Sequence, residues 1–304
     1  MKAIRALLAA AATTLLAAGP AAALDGVVAS IKPIHSLVAG VMEGVGQPAL
    51  LVQGGASPHT YALRPTDAEA LQSAKLVFWI GPALEAFLEK PLGTLSSGAT
   101  VVELDEAPGM TLLAIREGGA FETDDDGDVE GPFNAHIWLD PENARAMVGA
   151  IAAALAQADP GNADRYRANA QALEKRLDGL ESEVAETVEP VKGRGFIVYH
   201  DAYQYFENRF GLAAAGSITV SPETTPGAAR IAEIREKIGK RGAACVFTEP
   251  QFEPRIVDVT IEGTGARRGV LDPLGAELED GPDLYFELLA NLAGSVRRCL
   301  SDAG

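Results

Sequence analysis

Short apolar runs alternate along this chain with stretches in which apolar positions recur every three or four residues. Val27 to Ile31, Ala49 to Val52, Leu76 to Ile80, and Val101-Val102 with Leu104 predict four strands in the first half. Phe196 to Tyr199, Ala213 to Ile218, Ala244 to Phe247 and Gly269 to Leu271 predict four more in the second. Helices are predicted between them. One runs through Leu37 and Met42. Another starts at Thr66, where Thr66-Asp67-Ala68-Glu69 has capping-box spacing with Pro65 just outside. A third begins behind Asp140, with Pro141 at its first position, and runs through Ala156. Others span Thr225-Pro226 to Gly239, the stretch through Ile256 and Val259, and about Asp283 to Leu300. Strands alternating with helices imply an α/β protein, its mainly parallel sheets flanked by helices.

The longest pattern, Ala163 to Glu189, carries Tyr166, Ala170, Leu173, Leu177, Leu180, Val184 and Val188 as one apolar stripe. At 1.5 Å per residue such a helix spans ~40 Å, more than one small lobe needs. A connector running alongside two lobes is expected; an ordinary long surface helix within one domain is the alternative. The expected organisation is an export segment over 1–23, an N-terminal lobe over 24–160, a linking helix over 161–189 and a C-terminal lobe over 190–304. Residues 117–132 interrupt the pattern with Glu117, Glu122, Asp124, Asp125, Asp126, Asp128 and Glu130, which reads as an acidic loop. Its glycine and glutamate do not fall where an EF-hand needs them.

Residues 1–23 read as a cleaved signal peptide: Lys2 and Arg5 precede a charge-free run from Ala6 to Ala18, and Ala21-Ala22-Ala23 offers the cleavage pattern. The run is too short for a bilayer span, so export to a periplasm is expected, with no membrane anchor. Removing Lys2 and Arg5 leaves 23 basic against 42 acidic residues. That acidity argues against nucleic acid or anionic lipid as partners and is compatible with a cationic ligand, although solubility alone would also account for it. In an oxidising compartment the two cysteines, Cys245 and Cys299, are expected to pair. Such a bond would tie a late strand to the last helix, with ~4 kcal/mol expected for a loop of this size.

The chain has four histidines. His59 follows Gly54-Gly55, His136 stands between the acidic loop and a helix start, and His200 and Asp272 end apolar runs. In open α/β sheets the ligand crevice lies beyond the carboxyl ends of the strands, so these side chains can converge there. Three imidazoles with a carboxylate suit tetrahedral Zn(II), whereas a second carboxylate would favour Mn(II). His35 is read as structural. Asp201, Tyr203 and Glu249 are placed to orient ligands by hydrogen bonds, or equally to cap and turn the chain. Gly263-Thr264-Gly265 precedes a strand and is not a nucleotide loop.

The segments Gly55 to Asp67 (GASPHTYALRPTD), Phe133 to Leu139 (FNAHIWL), Tyr199 to Tyr203 (YHDAY) and Leu271 to Gly275 (LDPLG) resemble, in this order, the periplasmic solute-binding proteins of zinc ABC transporters, the ZnuA group. The resemblance covers essentially the whole chain after residue 23. It implies two α/β lobes joined by one long helix, and a zinc ion between them held by His59, His136 and His200. Asp272 matches the aspartate that relatives use as a fourth ligand. His200 favours zinc, since manganese-binding relatives carry a glutamate there. The resemblance also implies a Cys245–Cys299 disulfide, and partnership as a monomer with an inner-membrane permease and its cytoplasmic ATPase. Many members carry a His-rich loop before the second ligand, but residues 117–132 contain no histidine. A manganese carrier is the alternative of the same class. A secreted zinc hydrolase is the alternative of another class, with Glu249 or Asp201 as base, but no H-E-x-x-H motif supports it.

Overall fold

A computed structural model describes residues 24–116, 121, 132–219, 222, 226–241 and 243–301. The expected export segment 1–23, most of the acidic stretch 117–132 and Thr225 lie outside the described residues. The first half runs β1 (Val27–Ala29), α1 (Lys32–Val41), β2 (Ala49–Leu50), α2 (Pro65–Ser73), β3 (Leu76–Trp79), α3 (Ala86–Leu95) and β4 (Thr100–Glu103). After α4 (Pro141–Ala158) and α5 (Ala163–Val188) come β5 (Phe196–Val198), α6 (Gln204–Phe210), β6 (Gly216–Ser217), α7 (Ala228–Arg241), β7 (Cys245–Thr248), α8 (Arg255–Ile261), β8 (Arg267–Val270) and α9 (Leu284–Ser301). The strands form two parallel sheets, ordered β2-β1-β3-β4 and β6-β5-β7-β8. In each, strand order reverses between the first and third strands of the half. This is the position where α/β sheets open a crevice beyond their carboxyl ends.

All eight predicted strands are present, most of them shorter than their apolar runs. The helix expected from Thr66 begins instead at Pro65. Proline has no N–H to leave unsatisfied in the first turn, and the Asp67 carboxylate accepts the Arg64 backbone N–H at 2.8 Å. Two helices carry no periodic signal. α3 contains Pro91 and Gly93, and α6 is only seven residues long, ending at Gly211 with φ of 68°. There the left-handed backbone suits glycine.

α5 lies between the sheets as the sequence stripe requires. Tyr166, Ala170, Leu173, Leu177, Leu180, Val184 and Val188 are all buried. They belong to one apolar cluster that continues from Ile34 and Phe78 to Phe247 and Leu288, across both halves. α4 packs along α5, and α9 packs against both α5 and α1. α1 comes so close to α5 that a Cβ on Gly40 would lie 2.9 Å from a Leu173 methyl carbon. The last helix therefore reaches back to the first. Tyr285 N donates to Ser36 Oγ at 3.0 Å, and the buried Lys32 donates to the Leu278 carbonyl at 2.7 Å. Cys245 and Cys299 are bonded, with their Cα atoms 6.1 Å apart, joining β7 to α9 as expected.

Candidate metal centre

His200 follows β5 and His59 lies in the loop between β2 and α2. His136 ends the segment that leads into a single 3-10 turn, Ile137–Leu139, and then α4. Asp140 stops that turn and caps α4 by accepting the Glu142 N–H at 2.9 Å, so His136 is held by a rigid helix start. The three rings meet. His136 Nε2 lies 3.2 Å from His59 Nε2 and 3.1 Å from His200 Nε2. Among the described residues these three form the group able to share a metal ion, with all ligand atoms within 4.8 Å of one another.

Hydrogen bonds on the far side of two rings determine which nitrogen faces inward. Asn134 Nδ2 donates to the Asp201 carbonyl at 2.6 Å, which turns Asn134 Oδ1 towards His136. That oxygen accepts from His136 Nδ1 at 2.8 Å and from the His136 backbone N–H at 3.1 Å. His200 Nδ1 lies 2.9 and 2.8 Å from the two oxygens of Glu249. With Nδ1 protonated in both rings, each Nε2 presents a lone pair to the centre. Burial pushes His59 down to about 3, and His200 acts in the same direction. Burial, with His200 and His59, also holds His136 well below the ordinary imidazole range. Converging imidazole lone pairs, two of the rings resisting protonation, make a site for a cation. A tetrahedral zinc ion about 2.0–2.1 Å from two imidazoles holds their nitrogens about 3.3 Å apart, close to the spacings seen here.

Asp272 stands elsewhere in this arrangement. Its Oδ1 accepts from Leu274 N and Gly275 N, both at 3.0 Å, and from Gln251 Nε2 at 2.9 Å, while Oδ2 accepts from Ala276 N at 2.6 Å. The carboxylate thus builds the turn whose Pro273 and Leu274 line the cleft beside the histidines. Of the residues read as possible orienters, Glu249 contacts a cluster histidine through its side chain. Tyr203 is buried beside Glu249, which together with burial raises its hydroxyl well above the ordinary range. The Asp201 carboxylate turns away to Arg116. His35 is outside the cluster, its Nε2 3.1 Å from the Pro48 carbonyl. Two further residues, Asn134 and Trp138, shape the surroundings of His136. The Trp138 ring lies beside that of His136, their centres 5.2 Å apart and their planes tilted by 50°, and its Nε1 donates to the Pro273 carbonyl at 2.8 Å. Neither role has a sequence signal beyond closeness to His136.

Two α/β lobes bridged by a long helix, with a cation-sized imidazole cluster between their sheets, define a solute-binding protein of the metal-carrying class. The sequence matches the family described as zinc-uptake complex component A, periplasmic, over residues 27–299. The chain belongs to this ZnuA family, the periplasmic component of a zinc-uptake complex. It is 52% identical to the high-affinity zinc uptake system protein ZnuA of Brucella suis, covering 91% of this chain and 92% of that one. It is 38% identical to the protein of that name from Yersinia pestis, covering 95% and 96%. Among solved structures, a crystal structure of ZnuA superposes with a TM-score of 0.77 at 25% identity, covering 90% of this chain and 97% of that one. Among the described residues, no helix is long and apolar enough to cross a membrane.

Proposed function

We propose that this protein captures Zn(II) in the periplasm and delivers it to the permease of an ABC importer driven by a cytoplasmic ATPase. His59, His136 and His200 are the zinc ligands in this reading. The observation that carries it is the convergence of three imidazoles, with His136 Nε2 3.2 and 3.1 Å from the Nε2 atoms of His59 and His200 and two of the rings oriented by hydrogen bonds at Nδ1. Zinc as the cargo is supported by the names of relatives about half identical over nearly the full length. The chain acts as a monomeric carrier without turning over a substrate, after residues 1–23 are removed on export. The half-sites belong to the segments 24–160 and 190–304, joined by 161–189, so neither half completes the centre alone.

Asp272 is the candidate fourth ligand. It would join the metal only by giving up part of its present hydrogen bonding, so its contribution is the smallest of the four. Because one apolar cluster runs through α5 and both halves, release proceeds by small local movements and not by bending of α5. The direct test is metal content by native mass spectrometry of the full chain after removal of its signal segment. The parent should carry one zinc, His200→Ala should lose it, and Asp272→Ala should retain it with weaker affinity. Undiminished zinc in His200→Ala would refute the site.

A further inference from the structure

The segment before the acidic stretch lies along α6. Leu113 N donates to the Tyr205 hydroxyl at 3.0 Å, and Gln204 Nε2 donates to the Ala114 carbonyl at 3.0 Å. At its end the Arg116 guanidinium forks onto two carboxylates of the second half. Nε lies 3.1 and 3.0 Å from the two Asp201 oxygens, and Nη2 also bonds Asp201 Oδ1. Nη1 and Nη2 lie 2.9 and 3.0 Å from the two Glu207 oxygens. The Phe121 ring covers the guanidinium face at 3.8 Å, and both carboxylates are buried.

Asp201 is the middle residue of a γ-turn, since Ala202 N donates to the His200 carbonyl at 2.8 Å. In a turn this tight, a shift of the backbone at Asp201 carries the backbone of His200 with it. The opposite side of the turn is held through the Asp201 carbonyl by Asn134, which also orients His136. We propose that Arg116 is a positioning residue of the metal centre, clamping the His200 turn so that its ring stays in register with His136 across the two halves. This rests on the three-imidazole reading above. Arg116 touches no metal and acts through Asp201.

The test is zinc affinity of the full chain, measured by competition between the ion and a chromophoric chelator. Arg116→Lys keeps the charge but loses the planar fork. A second variant, Arg116→Met with Asp201→Asn and Glu207→Gln, removes all three charges together and leaves no buried carboxylate without its cation. In both, affinity should fall about ten- to a hundredfold while stoichiometry stays at one. The zinc-induced rise in Tm should shrink with it, because that rise depends on zinc concentration relative to Kd. Affinity within about twofold of the parent in both variants would overturn the proposal. So would a loss of Tm that is the same with and without zinc, the mark of a structural role. His200→Ala run alongside separates the two claims: if it keeps parental affinity, the three-imidazole reading falls, and the clamp with it, whatever the Arg116 variants do.

Discussion

Each sheet buries one glutamate beyond the carboxyl end of its third strand, beside a polar residue that follows the first strand. In the first half the pair is Glu85 with Ser30. Glu85 accepts from the Ser30 hydroxyl and from the backbone N–H groups of Ile80 and Gly81, at 2.9 and 3.1 Å. In the second half the pair is Glu249 with His200. A serine hydroxyl bound to a carboxylate ends the network there. An imidazole bound at Nδ1 still has Nε2, on the opposite side of the ring, to offer to the cleft. Corresponding ends of the two sheets are therefore closed in one lobe and open towards the candidate metal centre in the other, and the loops differ as well as the side chains: Ser30 directly follows β1, whereas His200 stands one residue further beyond β5.

The comparison breaks most sharply on zinc affinity. Glu249→Ala should weaken zinc binding ten- to a hundredfold, the usual effect of losing a carboxylate behind a metal-bound histidine, whereas Glu85→Gln should leave it within about twofold. Competition titration of both variants reads this directly. Equal losses would mean that the two pairs do the same structural work.

The next effect is on pH. Burial pushes Glu85 up to about 8, so the folded chain keeps a proton that the unfolded chain releases near its ordinary value. Between those values the native state binds more protons, and stability falls as pH rises, by on the order of 1 kcal/mol per unit. Above pH 8 the loss levels off. Urea unfolding of the zinc-free parent and of Glu85→Gln, each at pH 6 and pH 7, should show the parent's stability relative to the variant falling by about this amount, the histidine contribution being common to both. His59 gives the opposite sign at lower pH. Its folded value, pushed down to about 3, lets the unfolded chain take up protons first, so stability also falls as pH drops below about 6.5.

The smallest effect belongs to Ser30. Ser30→Ala removes one hydrogen bond and should cost about 0.5–1 kcal/mol in urea unfolding at pH 6. Zinc affinity should not change, because nothing joins Ser30 to the three imidazoles.

Local pattern was enough for much of this molecule. The α5 stripe, the eight strand positions and the Asp140-Pro141 helix start all depend on residues near one another in sequence, where periodicity and capping leave few options. The His triad was legible because three of only four histidines stand at loop positions of an α/β chain, and because the motifs around them resemble a family. α3 was hidden by Pro91 and Gly93, whose helix-breaking tendency is overridden by burial of Leu88 and Leu92 against the sheet.

What tertiary structure alone decided is where each polar side chain spends its hydrogen bonds. Asp272 is itself a candidate ligand from the sequence and Asp201 adjoins one, yet one builds its own turn and the other pairs with Arg116. Asn134, not singled out by its spacing, sets the tautomer of His136. A carboxylate's partners are the nearest donors in space, which local spacing does not specify. Sequence identified the candidate metal ligands. Packing of the two halves around α5 decided which of them face one another.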